Sequence, residues 1–329
     1  MTNTTVKIGI VAYPGVMESA LHGLSEMFLI ANMVSEGIRE PQKFSVEIYD
    51  VSDLPSFNMD QENRPQVVII PPDMESSYAM STPQDLINWL LDHHRSGTII
   101  CSVCAGAFIL AESGLLDERQ ATTHWALADI FAKKYPAVKL DSQKILINDG
   151  DIITAAGLMS WLDLGLELVA QFTHPNIMRL LGKNLIVDTG LREQRYYEGF
   201  TPKLDHGDQA ILKAQHYLQQ NFSKTITTKL LSQQSILTSR TFLRRFVKAT
   251  GFKPTHYLQR LRIQEACNLI ESTNGTFESI SLKVGYEDTG AFRKTFLKII
   301  GLTPREFKGK FSTDGGSPSR PIFGFVKVK

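Results

Sequence analysis

The carboxyl-terminal third of the chain repeats itself at an interval of fifty residues. Between Thr225 and Phe311, a shift of fifty positions pairs residues of the same character: Leu230 with Ile280, Phe242 with Phe292, Phe246 with Phe296, Gly251 with Gly301, and Pro254 with Pro304. Each copy reads as a short helix, a break, and a second helix that ends at a Gly-x-x-Pro stop. Because residues four apart share one face of a helix, each copy is expected to bury its aromatic pair.

The second helix of each copy also carries a cationic surface. Its members are Arg240, Arg244, Arg245 and Lys248 in the first copy, and Arg293, Lys294 and Lys298 in the second. A helix with an aromatic back and a cationic front, held by a shorter helix across a turn, is typical of a helix-turn-helix. The repeat therefore predicts two helix-turn-helix motifs in tandem.

Charge is divided unevenly along the chain. Residues 1–205 hold 15 Lys and Arg against 26 Asp and Glu, a net charge of −11. Residues 206–310 hold 17 against 7, a net charge of +10, so the net charge of +1 for the whole chain hides this division. Charge alone would also fit the solvated basic face of an ordinary helical domain. Together with the duplication, it favours a surface that binds phosphates.

The segment from Ser232 to Phe311, which begins SQQSILTSRTFLRRF, resembles the DNA-binding domain of the AraC/XylS family of bacterial transcription regulators. The resemblance covers both copies of the repeat. It implies two motifs joined by a long central helix at about Pro254–Ser272. It also implies recognition helices, here Ser239–Ala249 and Thr289–Ile299, that enter successive major grooves on one face of the DNA.

The two recognition helices are expected to contribute differently to DNA binding. Thr238 and Asp288 occupy the expected N-cap positions of the first and the second recognition helix. The resemblance places Arg240, Leu243 and Arg244 at base-facing positions, where the second copy has Gly290, Ala291 and Lys294. The second helix is therefore expected to supply phosphate affinity more than base choice. The predicted DNA-contacting set is Ser239, Arg240, Leu243, Arg244, Thr289, Gly290, Ala291, Arg293 and Lys294.

The first half of the chain alternates apolar strands with amphipathic helices. The predicted strands are Lys7–Ala12, Phe44–Tyr49, Val67–Ile70 and Thr98–Ser102, and the predicted helices include Leu21–Val34 and Gln84–Arg95. This alternation indicates an α/β fold with a parallel sheet covered on both faces. In such folds, ligands bind beyond the carboxyl ends of the strands.

Three residues at such strand ends are candidates for a site. Cys104 follows a strand and precedes a helix, with small neighbours that allow a sharp elbow. A thiol at a helix N-terminus is expected to favour the thiolate, although a buried structural cysteine is the plain alternative. His124 ends a short strand, and Glu18 follows the first one. A lone histidine is more often structural than catalytic, and Glu18 also fits as an ordinary charge at the start of a helix.

The segment SVCAGAFILAESGLLDERQATTHWALAD, residues 102–129, resembles the DJ-1/PfpI superfamily, whose fold is that of the class I glutamine amidotransferases. The resemblance implies a flavodoxin-like sandwich over roughly residues 5–185. A domain of this kind followed by an AraC-type domain is the arrangement of the GlxA-like transcription regulators. The connector Arg192–Phe200, REQRYYEGF, is similar to that group as well.

Departures from the superfamily's catalytic patterns favour a sensor over an enzyme. No His-x-Glu follows Cys104, as the glutaminases require, and Ala105 stands where peptidase-like members carry histidine. Ala20 occupies the position of the acid found in related regulators. We expect a small, nitrogenous metabolite to bind here. Two alternatives remain: a cysteine-dependent hydrolase or hydratase that uses Cys104, and a thiol redox sensor built on Cys101 and Cys104.

The predicted organisation of the 329 residues is a sensor domain 1–185, a linker 186–206, a DNA-binding domain 207–311 and a tail 312–329. Expected partners are promoter DNA, the effector, RNA polymerase and a second copy of the chain in a homodimer. No cofactor and no metal are expected. Because the longest uncharged run, Ser96–Ala111, is too short to span a bilayer, we expect a cytoplasmic protein that associates with the nucleoid when bound to DNA.

Overall fold

The computed structural model describes residues 5–36, 43–55, 64–75, 81–190 and 192–311. The chain divides into two compact units, an amino-terminal unit Met1–Arg195 and a carboxyl-terminal unit Tyr196–Lys329. The division falls inside the stretch 186–206 that the sequence predicts as a linker. The predicted tail 312–329 lies outside the described residues.

The amino-terminal unit is built on one six-stranded sheet in the order β2-β1-β3-β4-β8-β7. The sheet strands are β1 Thr5–Ala12, β2 Lys43–Asp50, β3 Val67–Ile70, β4 Ile99–Val103, β7 Leu146–Asn148 and β8 Ile152–Ala155, while β5 Gln120–Ala121 and β6 Lys139–Leu140 form a separate parallel pair. All neighbours in the main sheet are parallel except β7, which runs antiparallel to β8. The predicted parallel sheet is confirmed, with one antiparallel edge strand added.

Helices cover both faces of this sheet. They are α1 Glu18–Ser35, α2 Gln84–Arg95, α3 Gly106–Glu112, α4 Ala128–Lys134, α5 Trp161–Phe172 and α6 Pro175–Leu185. Leu24 of α1 and Leu168 of α5 belong to the core on one face, and Leu90 of α2 and Phe131 of α4 belong to the core on the other. Alternate residues of a strand point to opposite faces, so the apolar strands supply both cores. The sandwich expected from the sequence is therefore confirmed.

The carboxyl-terminal unit is helical. Its helices are α7 Gln209–Asn221, α8 Thr228–Gln234, α9 Ser239–Thr250, α10 Pro254–Ser272, α11 Phe277–Lys283, α12 Thr289–Ile300 and α13 Pro304–Phe311. The first motif is α8 with α9, and the second motif is α11 with α12. The predicted bounds of the central helix α10 are confirmed, and both recognition helices begin at the predicted residue and end one residue later than predicted.

Each motif packs its aromatic pair into its own core. Phe242 and Phe246 are buried in the first core, and Phe292 and Phe296 are buried in the second. The central helix serves both: Tyr257 and Leu258 join the first core, and Ile263, Ala266, Cys267 and Ile270 join the second. Burial of the aromatic face, predicted from the spacing, is confirmed in both motifs.

The interval of the repeat changes inside the motifs. Buried Leu231 and Ser232 of α8 correspond to buried Ile280 and Ser281 of α11, an interval of 49 residues. The pairing of Leu230 with Ile280 is therefore wrong by one residue. The turn of the second motif is one residue longer, which restores the interval of fifty from the recognition helices onward. An apolar side chain at both Leu230 and Leu231 hides this difference in the sequence.

Arg245 does not belong to the cationic front on which the sequence places it. Its Nε and a terminal nitrogen donate to the two carboxylate oxygens of Asp208 at 2.9 and 2.7 Å. Asp208 is also the N-cap of α7, where it accepts from the backbone N–H of Ile211. The guanidinium holds the pKa of Asp208 below its usual range. Arg245 thus joins α9 to the start of α7, where Asp208 balances its charge.

Candidate DNA-binding surface and sensor site

The first recognition helix, α9, presents its predicted contact residues to solvent. Thr238 caps it, its hydroxyl accepting from the backbone N–H of Thr241 at 3.3 Å. With the aromatic pair buried behind, the predicted first-motif residues Ser239, Arg240, Leu243 and Arg244 are all exposed. The helix therefore offers two guanidinium groups and one apolar side chain at its amino-terminal half, where recognition helices meet base edges.

The second recognition helix, α12, is capped more tightly. The carboxylate of Asp288 accepts from the backbone N–H groups of Gly290 and Ala291 at 2.8 and 3.1 Å. Gly290, Ala291 and Lys294 are exposed, and Thr289 is half-buried. The exposed Arg293 lies 3.1 Å from the carboxylate of Glu278 on α11, which partly neutralises it. Lys294 is then the main cation among the predicted contacts of this helix.

The elbow at Cys104 has the geometry that its sequence predicts. Cys104 has a φ of +54°, a left-handed conformation that is rare outside glycine. A Cβ on Gly106 would lie 2.7 Å from the carbonyl oxygen of Pro71 and 2.8 Å from that of Ile70, so this position requires glycine. The sharp turn from β4 into α3 is confirmed.

Burial acts against the thiolate that the sequence leads us to expect at Cys104. Cys104 is 3% exposed, and burial raises the pKa of its thiol to about 12. Backbone N–H groups of Ala105 and Gly157 act in the opposite direction but do not offset the loss of solvent. Helix α3 has only seven residues, so its N-terminus lowers the pKa of the thiol by less than desolvation raises it.

This burial leads to a testable reactivity. We expect the alkylation rate of Cys104 by iodoacetamide to keep rising from pH 7 to pH 10 without a plateau, since only the thiolate reacts. Peptide mapping by mass spectrometry follows Cys104 separately from Cys101 and Cys267, and the unfolded chain in denaturant gives the reference rate. A plateau near pH 7 would instead mean that the thiolate predominates in the folded protein.

The acid whose charge acts on the Cys104 thiol is Asp73, not Glu18. Glu18 is the first residue of α1, where its side chain is 75% exposed and lies 3.4 Å from His22. Asp73 is buried, and its charge contributes to the raised pKa of the Cys104 thiol. Its Oδ1 accepts from the backbone N–H of Glu75 at 2.9 Å. Asp73 follows the carboxyl end of β3, so the rule that ligand sites lie beyond strand ends could have found it.

His124 lies in a loop that contacts the elbow. Its Nδ1 accepts from the backbone N–H of Ala126 at 3.1 Å, so in the neutral ring the proton is on Nε2. Burial lowers the pKa of this half-buried imidazole. The neighbouring Thr123 donates its hydroxyl to the carbonyl oxygen of Cys104 at 2.8 Å. The structure thus brings the segment of His124 against the elbow through Thr123.

Cys101 is buried in β4, as the sequence predicts. It is part of the same core as Cys104, its thiol is free, and burial raises its pKa. Two buried thiols of raised pKa do not fit a redox pair that responds to mild oxidants, because reactivity follows thiolate character and access.

Gln194 is a structural residue of this region that the sequence reasoning missed. Its side-chain nitrogen lies within hydrogen-bond distance of four acceptors: the Thr122 hydroxyl at 3.2 Å and the carbonyl oxygens of Thr123, Ser142 and Lys144 at 2.9, 3.0 and 2.9 Å. Its oxygen accepts from the backbone N–H of Trp125 at 3.0 Å. The end of the amino-terminal unit is thereby anchored to the loop of His124. A glutamine in a charged connector carries no sequence signal of burial.

A separate groove with a volume of about 440 Å³ lies between β7, α5 and the segment that precedes Gln194. Its charged lining consists of Asp141, Asp163, Glu167, Asp188 and Glu193 against Lys144 and Arg192. One guanidinium nitrogen of Arg192 donates to both oxygens of Asp163 at 2.6 and 2.7 Å. Negative lining of this kind favours a cationic ligand over an anionic one.

Comparison with known proteins matches both halves of the chain. Residues 49–171 match the model of the DJ-1/PfpI family, and residues 231–310 match a model described as a helix-turn-helix domain. The HTH-type transcriptional regulator CdhR of Pseudomonas aeruginosa is 25% identical over 242 residues, which are 71% of each chain. The HTH-type transcriptional regulator GlxA of Rhizobium meliloti is 23% identical over 220 residues, 64% of this chain and 65% of that protein.

Among solved structures, a putative transcriptional regulator from Vibrio parahaemolyticus is similar to 55% of this chain over its whole length, with 18% identity and a TM-score of 0.48. In the described part of the chain, none of the helices combines the length and the apolar character needed to cross a membrane. The two family matches and the regulator relatives agree with the two units of the structure. The chain is therefore a transcriptional regulator that joins a DJ-1/PfpI domain to an AraC-type helix-turn-helix DNA-binding domain.

Proposed function

We propose that the amino-terminal unit is a sensor that binds a small nitrogenous metabolite, and that this binding changes how the carboxyl-terminal unit meets promoter DNA. The observation that carries the proposal is the buried carboxylate of Asp73, which follows β3 at the carboxyl edge of the sheet and whose charge acts on the Cys104 thiol. A carboxylate in a low-dielectric site is suited to an ammonium, amidine or amide group. The raised pKa of Cys104 supports sensing over catalysis, because a protonated thiol is a poor nucleophile.

Matched pairs of compounds test the nitrogenous part of the proposal. Amino acids and betaines are compared, by the melting temperature of the full-length protein, with carboxylic acids of the same carbon skeleton that lack the nitrogen. A ligand that binds only the folded state raises the melting temperature in proportion to its affinity. If, in every pair that binds, the nitrogen-free acid raises the melting temperature as much as the nitrogenous compound does, the nitrogenous assignment is contradicted.

Three variants locate the ligand. Asp73→Asn and Cys104→Ala are expected to weaken binding of the compound found in the screen, while Asp163→Asn, in the carboxylate-lined groove, leaves it unchanged. Loss of binding in Asp163→Asn alone would place the ligand in the groove and contradict the site proposed here.

Gln194 is expected to pass the effect of the ligand to the DNA-binding unit, because it joins the loop of His124 to the end of the sensor. In Gln194→Leu, buried carbonyl groups lose their donor, and we expect the amino-terminal unit to lose roughly 2–4 kcal/mol of unfolding free energy. DNA affinity without ligand should persist, and its response to ligand should disappear. The exposed Gln171→Leu is the matched control, and a full ligand response in Gln194→Leu would contradict this role.

The same proposal includes a homodimer and contact with RNA polymerase at the promoter. Leu29 and Met33 on the outer face of α1 are exposed, which supports pairing through this helix. Sedimentation equilibrium of Met33→Lys against the unchanged protein tests it, and equal dimer content in both contradicts pairing through α1. Because a protein that binds promoters acts on the chromosome, we retain the prediction that it is cytoplasmic and associates with the nucleoid.

A further inference from the structure

The two helix-turn-helix cores of the carboxyl-terminal unit meet at a small junction. Phe222, which follows α7, packs against both cores. The central helix α10 passes the same point between Leu258, which belongs to the first core, and Ile263, which belongs to the second. We call the residues Phe222, Ser223, Arg262, Gly285 and Tyr286 the junction. Their contacts join the segment between α7 and α8 to the turn of the second motif.

Arg262 is the polar centre of the junction. Its Nε donates to the carbonyl oxygen of Phe222 at 2.7 Å, and a terminal nitrogen donates to that of Lys224 at 2.9 Å. These carbonyls follow the end of α7, where a helix leaves acceptors without intrahelical partners and favours positive charge. The guanidinium also lies over the ring of Tyr286, 5.3 Å from its centroid. One side chain therefore holds the end of α7 and the turn of the second motif together.

Gly285 brings the two backbones into direct contact. A Cβ at this position would lie 2.4 Å from the carbonyl oxygen of Ser223 and 2.8 Å from its Cα. The turn of the first motif offers an internal comparison, because Ile236 occupies the corresponding position with a φ of +54° and is 92% exposed. The turn itself thus accepts a β-branched side chain. Close approach to Ser223, together with a φ of +87°, is what requires glycine in the second motif.

The junction restricts how the motifs are placed relative to each other. Each turn leads directly into its recognition helix, so a turn that is held in place also holds the start of that helix. The central helix alone would leave twisting and bending about α10 as soft motions. A forked guanidinium that binds two carbonyls and one ring, beside a backbone contact without room for a methyl group, is expected to restrict both motions.

We propose that Arg262 is a positioning residue that fixes the spacing between the recognition helices α9 and α12, and that the protein thereby selects operators by the number of base pairs between its two half-elements. A half-element is the set of base pairs read by one recognition helix. The proposal rests on the assignment of α9 and α12 as DNA-reading helices. One inserted base pair displaces a half-element by about 3.4 Å and rotates it by about a tenth of a turn.

The test uses the full-length protein and an operator selected from random DNA. Affinity is measured for that operator and for versions with one base pair inserted or removed between the half-elements. The unchanged protein is expected to lose affinity at least about tenfold on either change, since one half-element falls out of alignment. Arg262→Ala is expected to lose no more than about threefold, because its motifs can readjust at the junction.

Arg260→Ala is the matched control. Arg260 lies on the same helix, but its guanidinium lies over Phe200 and Phe252 and near Glu198, away from the second motif. It should keep the spacing preference of the unchanged protein. If Arg262→Ala does not fold by circular dichroism, Arg262→Lys takes its place, and its single ammonium is expected to reduce the preference by about threefold.

A folded Arg262 variant that keeps the full spacing preference overturns the proposal. So does an unchanged protein that binds the lengthened and the shortened operator as tightly as the selected one. Failure of the unchanged protein to select any duplex would contradict the DNA-reading assignment itself, which is a separate outcome. A loss of stability alone lowers affinity for all three operators together and leaves their ratio intact, so the ratio reports positioning.

Discussion

Replacing Gly285 by alanine is expected to lower the unfolding free energy of the carboxyl-terminal unit by about 3 kcal/mol. Two effects add. A φ of +87° is unfavourable for any residue with a Cβ, and the new methyl group would lie 2.4 Å from the carbonyl oxygen of Ser223. Because the three nearest atoms belong to the backbone of Ser223, no side-chain rotation can relieve the contact, and the turn or the segment after α7 must move.

Hydrogen exchange of amides in α12, measured on the full-length protein, reports the opening of this unit separately from the rest of the chain. Ile236→Ala is the matched control, since it changes a side chain at the corresponding turn position where solvent surrounds it. We expect that control to stay within about 0.5 kcal/mol of the unchanged protein. Equal effects of the two substitutions would mean that the Ser223 contact does not determine the residue at position 285.

Arg244→Ala is expected to relax sequence preference at one or two base pairs, with a loss of about 1–3 kcal/mol of discrimination there. Arg244 is exposed on α9, on the surface opposite the buried aromatic pair. A guanidinium can bind O6 and N7 of one guanine together, and alanine cannot. Lys294→Ala on α12 should behave differently. Its neighbours on the helix, Gly290 and Ala291, offer no polar side chain, so Lys294 is expected to bind phosphate. Its loss should therefore weaken the binding of every DNA sequence alike.

Competition against operators with single base-pair substitutions, repeated at several salt concentrations, separates the two roles. Lys294→Ala should lower the slope of log affinity against log salt by about one unit without changing the base preferences. Arg293→Ala is the control for charge, because Glu278 already neutralises part of this guanidinium, and its slope should change less. If the Arg244 and Lys294 variants both weaken all sequences equally, the division between base choice and phosphate affinity is wrong.

The features that were predictable from the sequence are local or periodic. The aromatic pairs at a spacing of four, the caps Thr238 and Asp288, and the Gly-x-x-Pro stops each depend on neighbours within one or two helical turns. The length of the central helix follows from Pro254 at its start and the polar loop after Ser272. The one error of register, Leu230 for Leu231, arose where two adjacent leucines made both alignments look equally apolar.

The site residues show why other features were not predictable. Glu18 and Asp73 both follow strand ends. The side chain of Glu18 is exposed and Asp73 is buried, and only the packed sheet distinguishes them. The same holds for Arg245, which the sequence places on the cationic surface and which the fold pairs with Asp208, 37 residues away.

The sequence by itself determined that this protein has an acidic α/β unit and a basic unit of two duplicated motifs, since periodicity and charge are properties of the order of residues. Only the tertiary structure decided that the Cys104 thiol is buried, that Gln194 anchors the connector and that Arg262 joins the two motifs. The physical reason is that desolvation and hydrogen bonding depend on which distant groups surround a side chain, and that set of neighbours does not exist before the chain folds.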